Sequence, residues 1–274
     1  MTDDFLMSEF LASIPSAPVF YLSRTRLRRD APANALAAVL APADPGARLA
    51  VSHRLLWTLF PGPDEKRDFL WREDEQGRFL ILSRRVPEDA HNLFELMEPR
   101  VFAPNLKAGD RLGFALRANA VVSRRVAGGR SKRCDPVAER LRDLPKDERV
   151  SQRYAAVVAV AAAWLAQQGE RHGFCLDSPA TLRADDRWLM VPREHKRRKP
   201  TASAGLERAP AASAGLERAP AASAGLSILD MEGCLKVTDP ERFVPALTAG
   251  FGKARAFGCG LMLIRRMVSG RDAP

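Results

Sequence analysis

The segment Gly250–Gly260 near the C-terminus constrains the fold more than any other part of the sequence. It holds four glycines in eleven residues and lies between a predicted helix that begins at Asp239 and a predicted strand over Leu261–Met267. Such a loop lets backbone N–H groups approach a phosphate, and Lys253 and Arg255 add positive charge. It lacks the GK[ST] sequence of a Walker A loop, and it does not join a strand to a helix as a Rossmann turn does. The alternative interpretation is a purely structural helix-to-strand loop.

Hydrophobic periodicity predicts similar element orders in the two halves of the chain. The first half has a strand over Val19–Leu27, a helix over Ser52–Phe60, two strands joined as a hairpin at Gln76-Gly77, and a weaker helix at about 88–97. The second half reads strand-helix-strand-strand-helix-strand, with a long apolar helix over Ser151–Gln168. This α+β order is that of a ferredoxin-like unit. The face of the long helix that we expect to be buried holds Tyr154, Val157, Val158, Ala161, Trp164 and Leu165.

The predicted elements suggest domain boundaries. Residues 1–18 form an N-terminal extension, 19–107 a first domain and 108–270 a second. A decapeptide over 202–211 recurs at 212–221, and a third copy begins at Ala222. Its Ala, Ser, Gly and Pro content predicts a flexible insertion at about 200–226, between the second and third strands of the second domain. We also predict a flexible basic loop over Arg117–Arg133.

Charge and composition exclude several classes of protein. Lys and Arg outnumber Asp and Glu by 43 to 33, and the net charge of +10 favours a polyanionic partner. The acidic N-terminus does not resemble a secretory signal, and the longest apolar run, Ala155–Ala166, is too short to span a bilayer. Four dispersed cysteines without a CxxC motif favour a reduced, cytoplasmic location. Neither the histidines nor the cysteines have the spacing of a zinc site, so we predict no metal. We expect the four tryptophans to lie in the core.

Several motifs together resemble a known family. The C-terminal loop resembles that of the RAMP superfamily of CRISPR-associated proteins, and more narrowly that of the CasE-type endoribonucleases of type I-E CRISPR systems. Further matches follow in the family's order: Tyr21-Leu-Ser-Arg24, His53-Arg-Leu-Leu-Trp-Thr-Leu-Phe-Pro61, Phe114-Ala-Leu-Arg-Ala-Asn119, Lys132-Arg-Cys134 and Met231-Glu-Gly233. They extend over about 19–268.

The resemblance implies a fold, an activity and partners. The fold is two tandem ferredoxin-like (RRM-like) βαββαβ domains. The activity is metal-independent cleavage of CRISPR precursor RNA at the 3′ side of the repeat stem-loop, after which the enzyme stays on the mature guide RNA within Cascade. The partners are the CRISPR repeat RNA hairpin and other Cascade subunits, with no membrane and no small-molecule cofactor. The alternative is a non-catalytic RNA-binding RAMP subunit of a CRISPR effector complex.

His53 is the candidate catalytic residue. Metal-free cleavage by a 2′-OH needs a group that moves protons near neutral pH, and histidine, with a pKa of about 6.5, is the best suited. The alternative is an ordinary amphipathic helix residue. Some relatives carry a tyrosine three residues earlier, where this chain has Ala50. The candidate RNA-binding residues are Arg24, Arg117, Asn119, Lys132, Arg133, Arg193, Lys196, Arg197, Arg198, Gly250, Gly252, Lys253, Arg255, Gly258 and Gly260. For the run at 193–199, which belongs to a hairpin that enters the RNA groove in relatives, a solvated charge run is the alternative.

Overall fold

The computed structural model describes residues 18–30, 37–62, 67–125, 129, 131–192 and 223–267. Two five-stranded antiparallel sheets follow one another along the chain. The first contains β1 (Tyr21–Leu27), β2 (Phe69–Glu73), β3 (Arg78–Ser83), β4 (Phe94–Leu96) and β5 (Arg100–Val101). The second contains β6 (Arg111–Ala118), β9 (Phe174–Leu176), β10 (Arg183–Pro192), β11 (Ser223–Val237) and β12 (Met262–Arg266), while β7 (Val122–Arg125) and β8 (Ser131–Cys134) form a separate hairpin.

Three of the described helices begin at an aspartate whose side chain caps the first turn. The described helices are α1 (Ala37–Leu40), α2 (Pro45–Trp57), α3 (Pro136–Arg142), α4 (Glu148–His172) and α5 (Pro240–Ala249). The side chain of Asp44 accepts a hydrogen bond from the backbone N–H of Ala47 (2.7 Å), and Pro follows at the first helical position. This cap starts α2 seven residues before the predicted Ser52. Asp239 caps α5 in the same way.

The strand order confirms the predicted fold. The first sheet has the order β2-β3-β1-β4, with β5 also beside β1, and the second has the order β10-β11-β6-β12, with β9 also beside β11. In both, the first strand of the unit is central, flanked by the third and the last. All of these neighbours are antiparallel. This is the strand order of a ferredoxin-like βαββαβ unit, present twice in tandem, although in the first unit β4 follows β3 without an intervening helix.

The predicted helix at about 88–97 is wrong. The carboxylate of Asp89 accepts hydrogen bonds from the backbone N–H groups of Leu93 (3.1 Å) and Phe94 (2.7 Å), and Asn92 has a φ of +53°. Both features end a regular helix and favour a turn. Phe94–Leu96 then extends and pairs with β1 as β4.

The predicted flexible loop over Arg117–Arg133 is also wrong in part. Its first two residues belong to β6, and β7 pairs with β8 from Val122↔Cys134 to Arg125↔Ser131. Gly129, at a φ of +80°, lies between these two strands. The segment therefore contains a basic hairpin, with Gly129 at a positive φ between its two strands.

The two domains share a hydrophobic core. The core of the first domain, around α2 and the first sheet, also includes Val191, Leu226, Ile228 and Cys259 from the second domain. Burying an aliphatic side chain such as Ile228, which is 2% exposed, stabilises the fold by about 1.5–3 kcal/mol. A Cβ on Gly46 would lie 1.8 Å from the carbonyl oxygen of Met190, so helix α2 rests directly on β10.

Two expected core side chains are exposed. Tyr154 is 59% exposed because the N-terminal turns of α4 extend beyond the core, where Val150 is exposed as well. Trp188 on β10 is 57% exposed, whereas Trp71 is fully buried as expected.

Strand β11 begins inside the third copy of the decapeptide. Ser223–Leu226 pair with Leu189–Pro192 of β10, and Leu226 is buried. The rest of the predicted insertion, and residues 1–17 of the predicted extension, lie outside the described residues. Among the helices that are described, none has the length and apolarity needed to cross a bilayer.

Candidate functional site

His53 lies in the second half of helix α2, with its side chain half-buried. The indole Nε1–H of Trp57, one turn later, donates a hydrogen bond to Nε2 of His53 (3.2 Å). The ring of Phe69 from β2 lies beside both, with centroids 6.4 Å from His53 and 5.4 Å from Trp57. An accepting nitrogen needs a lone pair, so Nε2 of His53 carries no hydrogen while it accepts this bond. The same lone pair would take up a proton in catalysis, so Trp57 and a proton donor compete for Nε2.

Ala50 lies one turn before His53 on the same helix and is half-buried. Residues three apart on a helix are neighbours on its surface. A tyrosine here would place a phenol near the imidazole, whereas the methyl group of Ala50 supplies no donor. A second proton-transfer group at this site must therefore come from elsewhere.

The glycine-rich loop is held in a conformation that glycine favours. Gly250, Gly252, Gly258 and Gly260 have φ values of 79°, 72°, 71° and 94°. Such values are readily adopted by glycine and rarely by other residues. At Gly250 an added Cβ would also lie 2.8 Å from the side chain of Leu70 in β2. The loop of the second domain therefore packs closely against the first.

The same loop connects the central strand β6 to helix α2. The backbone N–H of Gly260 donates a hydrogen bond to the carbonyl of Arg117 (2.7 Å). The backbone of Lys253 pairs with that of Asn119 in an isolated antiparallel β-bridge. A short 3-10 turn over Arg255–Phe257 follows, and Phe257 packs into the core beneath α2. The structure thus brings together the helix that carries His53 and the loop that carries Lys253.

The two cations of this loop differ in their surroundings. Lys253 is exposed, and within the part of the chain that the structure describes it forms no ion pair. Arg255 is half-buried, and its guanidinium donates to the carbonyls of Gly250 (3.0 Å) and Gly252 (3.4 Å). Lys253 is therefore available to an anion, while Arg255 also braces the loop.

Arg117 lies in an ion cluster at the domain interface. Its guanidinium donates to both carboxylate oxygens of Asp230 (2.8 and 3.3 Å) and to the carbonyl of Glu73 (3.5 Å). Arg187 also donates to Asp230, and Arg72 lies 3.7 Å from the same carboxylate. The arrangement gives Arg117 a structural role that its sequence motif does not indicate.

The cluster perturbs the titration of its members. Burial alone would raise the pKa of Asp230, but the hydrogen bond and charge of Arg117, together with Arg187, outweigh it and lower that pKa. Burial, followed by repulsion from Arg117, lowers the pKa of Arg72. Nη1 of Arg72 is buried and has no hydrogen-bond partner among the described residues. Three arginines thus surround one carboxylate, and the cluster carries excess positive charge.

The remaining predicted residues that the structure describes lie on elements other than the helix of His53. Arg24 is exposed on β1, and the buried Asn119 accepts a hydrogen bond from the N–H of Val121 (3.1 Å). The backbone of Lys132 and Arg133 belongs to β8, and their side chains are not among the parts that the structure describes. The basic residues next to the insertion, Arg193, Lys196, Arg197 and Arg198, lie outside the described residues.

Sequence reasoning missed residues that the structure places near this site. Trp57 follows His53 by four residues, and that helical spacing could have identified it as a partner. Arg67 and Arg84, which line a cleft beside Phe69, had no such signal because their neighbours in space come from the end of the chain. Asp230 pairs with arginines from three different strands, and no local sequence pattern could have identified it as their partner. No cluster of three His, Cys, Asp or Glu side chains suited to a metal occurs among the described residues.

Comparisons with known proteins assign this architecture to a family. A family model for CRISPR associated proteins matches residues 20–266. No curated protein matches the sequence significantly.

Several solved structures share the fold over nearly their whole length. A structure of CRISPR endoribonuclease Cse3 bound to a 19-nucleotide RNA has a TM-score of 0.56 and 22% identity, covering 90% of this chain and 99% of that one. Thermus thermophilus Cse3 bound to an RNA that represents a pre-cleavage complex has a TM-score of 0.53 and 22% identity, covering 90% and 99%. The CRISPR-associated protein Cas6e from Escherichia coli K-12 has a TM-score of 0.52 and 20% identity, covering 90% and 100%. At these identities the likeness establishes the two-domain fold.

Proposed function

Since this chain belongs to the family of CRISPR-associated proteins, we propose that it is an endoribonuclease that processes CRISPR precursor RNA. Its substrate is the repeat RNA hairpin, cut at the 3′ side of the stem without a metal ion. The observation that carries the proposal is a half-buried His53, hydrogen-bonded to Trp57, on a helix that packs against the glycine-rich loop. The Cse3 structures, which contain RNA on the same fold, support the substrate class.

The proposed reaction uses the 2′-OH next to the scissile phosphate as the nucleophile. A bond forms between O2′ and phosphorus, the bond from phosphorus to the leaving O5′ breaks, and the products are a 2′,3′-cyclic phosphate and a 5′-OH. One proton leaves the 2′-OH and one reaches O5′. His53 can accept the first on Nε2 once that nitrogen releases the indole N–H of Trp57, and in its protonated form it can donate the second. Because Ala50 supplies no donor, a group on the RNA, a water molecule or another side chain completes the pair.

Positive charge completes the proposed site. The transition state places extra negative charge on the phosphate oxygens, and cations or N–H groups aimed at them lower the barrier. The exposed Lys253 on the loop beside α2 is the candidate for this role. We also propose that the enzyme keeps its product and joins other Cascade subunits.

Cleavage of a repeat hairpin in EDTA tests the proposal. We expect cleavage to survive chelation, to leave a cyclic phosphate, and to stop when a 2′-deoxynucleotide occupies the scissile position. His53→Ala should slow cleavage by about 10²–10⁴-fold while RNA affinity changes little, because general acid–base groups contribute that much. A wild-type protein that binds the hairpin but never cuts it would instead be a non-catalytic RNA-binding subunit. Activity that is lost in EDTA and restored by magnesium would contradict the metal-free step.

A further inference from the structure

A cleft of about 540 Å³ lies where the first sheet meets the end of helix α5 and the glycine-rich loop. Its walls come from the start of β2, the end of β3 and the last turn of α5, with Phe20 at one edge. Phe69, which lines this cleft, is the residue whose ring contacts the imidazole of His53. The cleft is therefore a close neighbour of the proposed catalytic helix.

Three arginines line the cleft: Arg67, Arg84 and Arg255. Burial, and next the positive charge of Arg255, lower the pKa of Arg67, so these two guanidinium groups are close enough to repel each other. The guanidinium of Arg84 lies over the ring of Phe20, 5.5 Å from its centroid. Among the described residues, neither Arg67 nor Arg84 forms an ion pair.

The carboxylate in the cleft wall is already neutralised. Asp68 accepts two hydrogen bonds from Arg85, of 2.7 Å to Oδ2 and 3.1 Å to Oδ1. A bidentate pair of this kind satisfies both charges. The charge of Arg67 and Arg255 consequently has no counterpart in the described cleft wall. Holding like charges together in a partly buried space is unfavourable until an anion enters.

We propose that this cleft binds backbone phosphates of the single-stranded RNA that leaves the stem at the cut, with Arg67 and Arg84 as phosphate-binding residues. The planar guanidinium group of arginine matches the geometry of a phosphate. Hydrogen bonds to the loop carbonyls hold Arg255 in a position where its charge adds to the positive potential of the cleft. The buried ring of Phe69 belongs to the cleft wall and lies 6.4 Å from the imidazole of His53, so the cleft is within reach of a strand that continues past the scissile phosphate. The inference rests on the proposed function, because it takes RNA as the ligand.

The salt dependence of RNA binding tests this inference without requiring cleavage. Two RNAs are compared, a hairpin that carries single-stranded flanks and a 2′-deoxynucleotide at the scissile position, and the same stem without flanks. Each phosphate contact to single-stranded nucleic acid contributes about 0.7 to the slope of log K against log salt. We expect Arg67→Gln and Arg84→Gln each to lower the slope by about 0.7 on the flanked hairpin, and to leave the bare stem unchanged.

Arg142→Gln is the matched control, because Arg142 is 66% exposed on α3 and paired with Glu139. It should leave both slopes as in the wild type. Arg84 is exposed, so its variant remains informative if Arg67→Gln fails to fold. Unchanged slopes on the flanked RNA would overturn the inference and leave an acidic protein segment as the candidate ligand. If the variants lowered the salt slope equally on the bare stem, the cleft arginines would not bind the single-stranded flank, and that would also overturn the inference. Failure of the proposed function would be seen in a separate experiment, in which the wild-type protein leaves a hairpin made entirely of ribonucleotides uncut.

Discussion

Asp230 is the residue whose loss should most weaken the contact between the two domains. It lies on β11 and is 19% exposed, and its carboxylate is shared by Arg117 and Arg187 of the second domain and Arg72 of the first. Arg72 and Arg117 are themselves only 15% and 14% exposed. Asp230→Asn keeps the size of the side chain but removes the carboxylate that pairs with both cations, so that only the more remote charge of Glu232 acts on Arg72.

The expected cost follows from this burial. Removing one partner of a buried ion pair destabilises a protein by about 3–5 kcal/mol. At about 2–4 °C per kcal/mol for a chain of this size, Tm should fall by about 6–20 °C. Thermal denaturation followed by circular dichroism measures the shift. Adding Arg117→Met, which removes one uncompensated charge, should recover part of it.

An exposed pair serves as the control for Asp230. Arg26 and Glu95 form a salt bridge with side chains 52% and 42% exposed, so Glu95→Gln should cost less than about 1 kcal/mol. If Asp230→Asn melts within about 2 °C of the wild type, or no lower than Glu95→Gln, the ion cluster does not stabilise the interface.

The pH dependence of stability gives a second test of the same reasoning. The pKa of Asp230 is lowered from its ordinary value of 3.8. The stabilisation is therefore fully present above that value and is lost as the pH falls through the lower pKa of the folded state. The difference in stability between wild type and Asp230→Asn should narrow only in strongly acidic solution. A difference that narrowed already between pH 7 and pH 5 would contradict this assignment.

Three further outcomes are expected. Trp57→Phe removes the indole donor to His53 but keeps an aromatic ring. One hydrogen bond is worth about 1 kcal/mol, so single-turnover cleavage should slow by about fivefold with RNA affinity unchanged. An unchanged cleavage rate would exclude a positioning role for Trp57. Burial raises the pKa of Cys259 to about 12, so Ellman's reagent should label the exposed Cys175 in the native protein and Cys259 only after unfolding; native labelling of Cys259 would contradict its burial. Deleting 202–221 should leave Tm and cleavage nearly unchanged, because a threefold shortening of the connection between β10 and β11 changes stability by only about 1 kcal/mol. Loss of cleavage would make the insertion part of the site.

The fold was accessible from the sequence because its signals are local. The Asp-Pro pair at Asp239 and the hairpin at Gln76-Gly77 each depend on a few neighbouring residues, and such local signals predicted the element order. The Asp-Pro pair at Asp44 is an equally local signal that the prediction missed, so the start of α2 was placed seven residues too late. The helix predicted at about 88–97 was wrong because the apolar spacing of this segment suits either a helix or a strand. Its outcome depends on Asp89, which caps a turn, and on β1, which offers an edge for pairing.

The candidate site was accessible only in part. His53 and the loop residue Lys253 belong to motifs that can be read along the chain, and the structure brings their elements together. The role of Arg117 could not be predicted, because its partner Asp230 lies 113 residues away and the pairing depends on the register between β6 and β11. The same holds for the cleft arginines, whose proximity to Arg255 arises only when the two domains pack.

The entry of the decapeptide into β11 has an evolutionary consequence. Repeated coding segments gain and lose copies readily when DNA is replicated. Only the copy covalently joined to Ser227 can supply Ser223–Leu226 to the strand, whatever the number of copies before it. Leu226 therefore keeps its partner on β10 after any such event, and natural variants of this protein should differ in length at this position by whole multiples of ten residues.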